Sequence, residues 1–469
     1  MDKIMAINGV VNGFVWGPIM LCLLVGTGVY YSIRIGFPQF RFFGHAMKNT
    51  VGKIFEKTEA GEGEITPFQA VSTALASTVG TGNIAGVTAA VVLGGPGAVF
   101  WMLISALFGM CTKFAEVTLA VRYREKNVKG DWIGGPMYYI KNGMGQKWKW
   151  LGGVFAALGA LACFGIGNMT QINSMASTVN SVAQAFSAGA VEHKATISLI
   201  TGIVVAVFAF VTLLGGVKGI AGVTEKLVPF MAVVYIVCAL IVVFANAKAV
   251  PGALKDIFVC AFNPAAAGAG FVGVTIKTCM TKGVARGVFS NEAGLGSAPI
   301  AHSATAEKNP VKQGLYGIFE VFCDTIVICT LTALCSLTTG TYAVEGAEAG
   351  AGTAVAAFQT VFGAKAGSLI LAVGLFCFAL STILGWSLYG VRCAEYLFGS
   401  KVIRPYQILF CLVVVIGAVA EVSVVWDIAD TLNGLMAIPN LIALLVLSPV
   451  CIKLAKEYFA EVKAEKKAN

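Results

Sequence analysis

Charged residues are scarce in this chain of 469 residues. Asp, Glu, Lys and Arg make up 12% of it, hydrophobic residues make up 57%, and the mean hydropathy is +0.81. So little polar side-chain surface cannot cover a water-soluble protein of this size, which predicts an all-α protein of the lipid bilayer. The formal net charge is +9. The basic residues lie between apolar segments rather than in one patch, so nucleic acid is not expected as a partner.

Sequence patterns of known catalytic and metal sites are also lacking. The chain has no HExxH, P-loop or nucleophile-elbow motif, and its thirteen cysteines form no CxxC pair. Single cysteines among apolar residues are typical of small buried side chains. The three histidines are dispersed and are expected in loops: His45, His193 and His302. We therefore predict that the protein is not an enzyme.

Long apolar segments, in contrast, are abundant. At about 17 to 25 residues per transmembrane helix, the sequence predicts about eleven crossings. They lie near residues 13–36, 66–93, 97–120, 151–178, 197–217, 227–247, 265–290, 315–340, 367–391, 403–421 and 431–453. Lys and Arg are concentrated in alternate connecting segments. This alternation predicts a multi-pass protein of the cytoplasmic (plasma) membrane, with its amino terminus outside and its carboxyl terminus in the cytosol.

The second predicted span contains helix-breaking and polar residues at its centre, namely Gly80, Gly82 and Asn83. A helix in lipid must satisfy its own backbone groups, because each unmet group costs several kcal/mol. A break there therefore needs a partner other than lipid. We predict that a polar solute binds at mid-membrane beside this break.

The seventh span begins with three glycines, Gly268, Gly270 and Gly273, which weaken a helix. Interrupted spans at matching positions in two halves of a chain are typical of inverted-repeat transporters, with the binding site between them. The sequence thus predicts a second interruption here. The alternative is that these glycines only allow helices to pack closely.

Polar side chains lie within two other spans. Gln171 in the fourth span needs a partner outside its own helix, which is either another helix or a ligand. The hydroxyls of Ser381 and Thr382 in the ninth span could join backbone carbonyls near Ala76 and Val79 in a neutral all-oxygen cage suited to Na⁺. The alternative is that both hydroxyls bond back to their own helix.

Deep acidic residues are few. Glu320 and Asp324 lie one helical turn apart in the eighth span. A carboxylate inside the membrane indicates a cation ligand or a proton carrier. The alternative is a carboxylate paired near the cytosolic end with a basic neighbour such as Lys312.

Four motifs carry a resemblance that covers nearly the whole chain: GTGNIAGVTAA at 80–90, GGPGAVFWM at 94–102, GGPMYYI at 134–140 and SNEAGLGSAPIAHSA at 290–304. Through them the chain resembles the alanine or glycine:cation symporter family, the sodium:alanine symporters. The resemblance implies uptake of small neutral amino acids, L-alanine or glycine, driven by Na⁺, with H⁺ as the alternative coupling ion. It also implies ten core helices in a five-plus-five inverted repeat, plus one amino-terminal helix.

On this basis the chain divides into an amino-terminal helix with its connector (1–65), two repeats (66–250 and 251–453) and a charged cytosolic tail (454–469). The tetrad at 80–83 is also similar to the unwound first core helix of neurotransmitter:sodium symporters. That similarity implies that the amides of Thr81 and Gly82 receive the substrate carboxylate. It places one cation at Thr78 and Asn83, and another at Ala76, Val79, Ser381 and Thr382.

The remaining substrate contacts are expected from aromatic residues and freed carbonyls. Phe164, Phe271 or Trp386 would close the pocket, with Gln171 bonded to a charged end of the ligand. Carbonyls from Gly270 to Val274, including that of Gly273, would take the ammonium group. The alternatives are a proton-coupled carrier that uses Asp324, a channel, and a membrane enzyme. A channel would need polar positions along a continuous pore, whereas here they cluster at one depth.

Overall fold

The computed structural model describes residues 2–53, 60–268, 271, 273–344, 346–347, 349–420 and 423–468. Its amino-terminal part consists of α1 (Asp2–Val15), α2 (Pro18–Ile35), α3 (Pro38–Arg41) and α4 (Phe43–Asn49). The next part contains α5 (Pro67–Thr78), α6 (Ala85–Gly94), α7 (Gly97–Arg122), β1 (Glu125–Lys126), β2 (Trp132–Ile133), α8 (Pro136–Tyr139), α9 (Lys149–Phe164), α10 (Thr170–Phe186), α11 (Lys194–Leu214) and α12 (Gly216–Ala245). The two strands form an antiparallel hairpin.

The carboxyl-terminal part is also mainly helical. It contains α13 (Val250–Phe262), α14 (Ile276–Asn291), α15 (Pro299–His302), α16 (Pro310–Val321), α17 (Thr330–Thr339), α18 (Ala351–Phe362), α19 (Ala364–Phe398), α20 (Ile403–Val419), α21 (Ser423–Val446) and α22 (Ser448–Ala468). π-Helical segments of 5 and 8 residues join α9 to α10 and α16 to α17, so each of these pairs forms one continuous span. The all-α membrane fold is thereby confirmed.

The predicted count of about eleven spans is not confirmed. Within the described ranges, nine helices are long and apolar enough to cross a membrane, or ten when the bent pair α5 and α6 counts as one span. The predicted crossing at 265–290 is not among them. Its helix, α14, begins only at Ile276, has 16 residues, and contains three basic side chains. It is therefore too short to span the bilayer by itself.

Large apolar side chains face outward on the long helices. Val204 and Val211 on α11, Phe230 on α12 and Leu412 on α20 are each more than half exposed. An apolar surface of this extent is unfavourable in water and is expected where acyl chains cover it.

Close packing around α7 holds the interior together, with α14 and α16 against it. Glycines make this approach possible. A Cβ atom at Gly283 would lie 2.2 Å from the carbonyl oxygen of Ala98, and one at Gly314 would lie 2.4 Å from the hydroxyl of Thr118. Small residues therefore allow these membrane helices to pack closely against one another.

A short backbone bridge connects the chain just before α5 to the chain just after α15. The Ile65 amide donates to the Ala304 carbonyl at 3.0 Å, and the Ala306 amide donates to the Ile65 carbonyl at 2.8 Å. Arg124 reinforces this region by donating to the carbonyl oxygen of Ser303 at 3.0 Å. The ends of α5 and α15 are consequently held side by side.

Candidate functional site

The second predicted span is broken where the sequence predicts. Helix α5 ends at Thr78, Val79 and Gly80 are extended, a 3-10 turn follows, and α6 begins at Ala85. The two helices are bent by 61° relative to one another. The Gly80 amide donates to Asn83 Oδ1 at 2.9 Å, so the Asn83 side chain caps the turn. Loss of regular helical hydrogen bonding over 80–83 is confirmed.

This break leaves several backbone groups free. Among the described residues, none donates a hydrogen bond to the carbonyls of Ala76, Thr78 or Val79, and none accepts one from the amides of Thr81 and Gly82. Buried peptide groups without partners are rare in proteins and unfavourable in a membrane. The break therefore presents both carbonyl acceptors and amide donors to a polar solute.

A second broken helix faces the first, at a place that differs from the prediction. Helix α14 ends at Asn291, Glu292 adopts the left-handed conformation with φ of 55°, and α15 begins at Pro299. The interruption thus falls at 292–298, within the motif SNEAGLGSAPIAHSA. Gly294 and Gly296 have φ of 92° and 86°, values that disfavour other residues and prevent a continuous helix.

The glycines predicted to interrupt this span lie elsewhere. Gly268 follows a 3-10 turn with φ of 114°, Gly273 is exposed before the start of α14, and Gly270 lies outside the described residues. Val274 packs against Ala90 on α6 and Ala98 on α7, and the contact of Gly273 with the ammonium group stays a prediction. The position of the interruption was predicted wrongly, because a run of glycines can precede the start of a helix as readily as it can interrupt a span.

A small buried cavity lies where the two broken helices meet. Its volume is about 20 Å³, which corresponds to about one water molecule. Both breaks and three further helices contribute to its lining: Ser77, Thr78, Gly80, Gly82, Ile166, Gln171, Phe289, Ser290, Glu292, Thr382, Trp386 and Asn433. Five of the predicted site residues, Thr78, Gly82, Gln171, Thr382 and Trp386, are thus brought together.

Two predicted aromatic contacts are not part of this lining. Phe164 packs against Tyr406, with ring centroids 5.0 Å apart. Phe271 packs against Tyr342 at 5.9 Å. Trp386, which is 1% exposed, does line the cavity, as does Phe289, an aromatic residue that the sequence interpretation missed. Phe289 directly precedes the motif at 290–304, so its position one helical turn before the break was the available signal.

Gln171 connects the first break to the fourth predicted span. Its Oε1 accepts from the Thr81 hydroxyl at 3.1 Å, and its Nε2 donates to the Ile166 carbonyl at 3.0 Å. Both amide atoms therefore already have protein partners. Gln171 holds the broken segment in place and also borders the cavity.

Thr382, one of the two predicted cation ligands on α19, lies directly beside Gly80. A Cβ atom at Gly80 would lie 2.6 Å from Thr382 Oγ1, so only glycine allows this contact. The hydroxyls of Ser381 and Thr382 each donate to the Phe378 carbonyl at 2.9 Å, as the alternative supposed. Hydroxyl oxygens keep lone pairs while they donate, so these bonds leave both residues able to face a cation.

Asp324 lies next to the first break and contacts Asn83, rather than lying at the cytosolic end of its span. Its Oδ1 accepts from Asn83 Nδ2 at 2.6 Å, and its Oδ2 accepts from the hydroxyls of Ser290 and Thr325 at 2.8 and 2.7 Å. One fully buried carboxylate thus contacts both broken helices.

Glu320 takes part in a buried ionic cluster, and its partner is not the predicted Lys312. Lys113 Nζ lies 3.2 Å from Glu320 Oε1, and His302 Nε2 lies 3.0 Å from Glu320 Oε2, with all three side chains fully buried. Gln313 Nε2 lies 2.9 Å from His302 Nδ1. Since Gln313 donates there, His302 carries its proton on Nε2 and donates to Glu320. His302 is therefore a buried residue of α15 and not a loop residue.

A further deep carboxylate was also missed. Glu116 lies one helical turn after Lys113, and its Oε1 accepts from the Gly294 amide at 3.1 Å and from Asn440 Nδ2 at 2.6 Å. It thereby binds backbone freed by the second break. Lys113 and Glu116 are isolated charges within the apolar span α7, and their spacing of three residues was the signal that could have identified them.

A larger cavity of about 350 Å³ adjoins the first break on its α6 side. Residues of α6 and α10 line it, together with Thr81, Gly82, Arg286, Phe289 and Trp426. Phe289 and Gly82 line both cavities, and a Cβ atom at Gly82 would lie 3.3 Å from the Phe289 ring. The Phe289 ring therefore separates the larger cavity from the small buried one.

Solved structures with the same fold are membrane transporters. The chain matches MhsT in complex with L-phenylalanine with a TM-score of 0.56 and 13% identity, over 84% of this chain and 99% of that one. It matches a manganese transporter of Eremococcus coleocola with a TM-score of 0.50 and 14% identity, over 87% of this chain and 82% of that one. These similarities support the five-plus-five inverted-repeat fold.

Sequence comparison is more specific. The chain is 47% identical over 473 residues to the sodium/alanine symporter AgcS of Methanococcus maripaludis, with 100% of each chain covered. It is 38% identical to the amino-acid carrier protein AlsT of Bacillus subtilis, over 97% of this chain and 93% of that one. The model of the sodium:alanine symporter family matches residues 1–469. The protein, a multi-pass membrane transporter with two broken helices around a buried cavity, thus belongs to the sodium:alanine symporter family.

Proposed function

We propose that the protein takes up small neutral amino acids, L-alanine or glycine, together with Na⁺, by alternating access. The observation that carries this proposal is the meeting of two broken helices at one buried cavity, with free backbone groups on the first of them. Family membership and the sodium/alanine symporter among its relatives support the choice of substrate and ion.

The carboxylate of the amino acid would bind at the start of α6. The amides of Thr81 and Gly82 have no acceptor among the described residues, and they precede a helix of 10 residues. The amino-terminal end of a helix carries a partial positive charge that favours an anion. The substrate's negative end is thereby met by backbone donors rather than by a basic side chain.

Na⁺ would bind to neutral oxygen atoms around the same break. The carbonyls of Ala76 and Val79 are free of donors, and the hydroxyls of Ser381 and Thr382 lie on the helix that touches Gly80. Thr78 and Asn83 provide a second candidate set, in which the Asn83 oxygen retains a lone pair beside its bond from Gly80. Oxygen ligands of this kind suit a hard monovalent cation.

The size of the cavity favours a small substrate. A volume of about 20 Å³ does not hold an amino acid, so the lining must separate to admit one. Trp386 and Phe289 limit how far it can open, which favours a methyl side chain over a branched one. Phe289 is the side chain across which a solute in the larger cavity would enter.

Coupling follows if cation and substrate both require the unwound geometry of residues 79–83. Each then binds more tightly when the other is present. One Na⁺ moving down a potential of 100 mV supplies about 2.3 kcal/mol, enough for roughly fifty-fold accumulation.

The arrangement in the membrane completes the proposal. The protein lies in the plasma membrane with its amino terminus outside, and the segments 66–250 and 251–453 form its two inverted repeats. In support, each segment contains one broken helix, α5 with α6 and α14 with α15.

Uptake of labelled alanine into proteoliposomes tests this function. We expect accumulation under an inward Na⁺ gradient and little under a pH gradient alone. Uptake under the pH gradient alone would instead support the proton-coupled carrier, for which Asp324 is the candidate group because it contacts both breaks. Absence of alanine and glycine uptake under both gradients would contradict the proposed substrate class.

A further inference from the structure

Asn433 on α21 is an unpaired polar residue at the buried cavity. It is 1% exposed and lines the cavity beside Gln171 and Trp386. Its Oδ1 is buried and has no hydrogen-bond donor within the described ranges. A buried amide oxygen without a donor is unfavourable, and such groups usually have a binding or structural explanation.

The position of Asn433 distinguishes it from the other unpaired polar groups. Within the described ranges, six more buried side-chain atoms lack a partner, on Thr112, Glu116, Asn168, Asn180, Ser336 and Tyr389. None of these residues lines the small cavity, whereas Asn433 does. Among these residues with an unpaired buried atom, Asn433 is therefore the one that borders the space in which the substrate is proposed to bind.

The other polar side chains on this lining already have hydrogen-bond partners in the protein, or are acidic rather than amides. The Gln171 oxygen accepts from Thr81, and the Thr382 hydroxyl donates to Phe378. Glu292 lines the cavity, and its Oε2 accepts from the Ser297 hydroxyl. The lining therefore offers an unpaired amide oxygen and a carboxylate, which are both acceptors.

A group with several N–H donors and a positive charge fits these acceptors. The ammonium group of an amino acid has three donors and no acceptor, like that of a lysine side chain. We propose, on the basis of the proposed function, that Asn433 Oδ1 accepts a hydrogen bond from the substrate ammonium, with Glu292 on the same lining as a further oxygen acceptor. Asn433 thereby distinguishes α-amino acids from carboxylates that have no amino group.

The unpaired oxygen of Asn433 would make binding selective for substrates that have an amino group. When a buried acceptor is built to meet a donor, an analogue that lacks the donor leaves the acceptor unsatisfied and binds much more weakly. L-lactate has the size of alanine with a hydroxyl in place of the ammonium group. We therefore expect wild-type protein to discriminate strongly against L-lactate.

The test compares alanine uptake in proteoliposomes containing the wild type, Asn433→Leu and Asn433→Asp. Leucine removes the acceptor at similar size, so KM for alanine should rise by about 10- to 100-fold, with the maximal rate largely retained. Aspartate keeps an acceptor oxygen, so KM should stay within about threefold of the wild type. Asn180→Leu is the matched control, because Asn180 also has a buried unpaired oxygen but lies away from this cavity. Its KM should not change.

Competition by L-lactate provides a readout that a purely structural role would not affect. The ratio of inhibition constants of L-lactate and alanine should fall in Asn433→Leu and remain high in Asn433→Asp. If leucine prevents folding, Asn433→Ser gives the same comparison with a smaller side chain. An unchanged KM and ratio in folded Asn433→Leu or Asn433→Ser, or equal losses with leucine and aspartate, would overturn the assignment. Failure of the wild type to transport alanine would contradict the proposed function instead.

Discussion

Asn83 and Ser290 donate to opposite oxygens of the same buried carboxylate, that of Asp324, at 2.6 and 2.8 Å. Asn83 belongs to the first break, and Ser290 lies at the end of α14, just before the second. A hydrogen bond to a charged group contributes about 1.5–3 kcal/mol, roughly twice that of a neutral pair. Asp324 is consequently the residue through which the geometry of one broken helix constrains the other.

Replacing Asp324 with Asn should weaken this connection between the two broken helices, while the size of the side chain stays the same. The amide has one acceptor oxygen, so at least one donor among Asn83, Ser290 and Thr325 loses its partner at a cost of about 1–3 kcal/mol. We expect a lower thermal unfolding midpoint in detergent and a higher KM for alanine. Asp430→Asn is the control, because the Asp430 carboxylate accepts from Asn12 on α1 and not from a broken helix within the described residues. Equal KM values for both variants would contradict this role.

Gly80→Ala should abolish or strongly reduce Na⁺-dependent alanine uptake. The added Cβ would lie 2.6 Å from Thr382 Oγ1, a distance at which α19 or the break must shift. Uptake in proteoliposomes measures the loss. Gly222→Ala, also on a membrane helix, has no atom within 4 Å of the new Cβ and should transport normally. Normal uptake by Gly80→Ala would show that this contact is not required.

Ser381→Ala and Thr382→Ala should each raise the Na⁺ concentration required for half-maximal uptake. Each change removes one oxygen from the proposed cation site and leaves the backbone carbonyls in place. We expect a shift of about 5- to 100-fold, since loss of one ligand oxygen resembles loss of one to two hydrogen bonds. Ser387→Ala is matched to them, because Ser387 is buried on the same helix and its hydroxyl donates to the Leu384 carbonyl of that helix. The site would be excluded by variants whose Na⁺ dependence equals that of Ser387→Ala.

Lys113→Met should destabilise the protein strongly, because it leaves the Glu320 carboxylate buried without its cation. Removal of one member of a buried ion pair typically costs about 3–5 kcal/mol. Adding Glu320→Leu to it should recover part of the loss, as measured by thermal unfolding in detergent. Lys453→Met removes an exposed pair with Glu457 and should change little. A midpoint for Lys113→Met equal to that of Lys453→Met would rule out an ionic contribution.

The first break could be predicted because Gly80, Gly82 and Asn83 interrupt an apolar segment of spanning length. That local conflict between backbone bonding and lipid is visible in one stretch of sequence. The second break was misplaced, because Gly268 and Gly273 resemble the glycines of the first break in sequence but lie before α14 begins at Ile276. Which run of glycines interrupts a span depends on where the helix starts, and that is not visible in one stretch of sequence.

The ionic cluster could not be assembled from sequence, because its members come from three separate helices. Lys113 lies on α7, His302 on α15 and Glu320 on α16, and their mutual distances depend on the tertiary fold. Asn433 was missed for the same reason. A single Asn within an apolar helix is not informative until the cavity that it borders is known.

The backbone bridge at Ile65 determines how the cavity can open at that end of the protein. Its two hydrogen bonds, to the Ala304 carbonyl and from the Ala306 amide, attach the beginning of one discontinuous helix to the end of the other. Separation of the two broken helices would leave two peptide groups without hydrogen-bond partners. Movement of both helices together as one rigid unit therefore costs less free energy. For the transport proposed above, the bridge therefore predicts that a solute leaves towards that end through a hinge movement of the pair against the surrounding helices, and not through their separation.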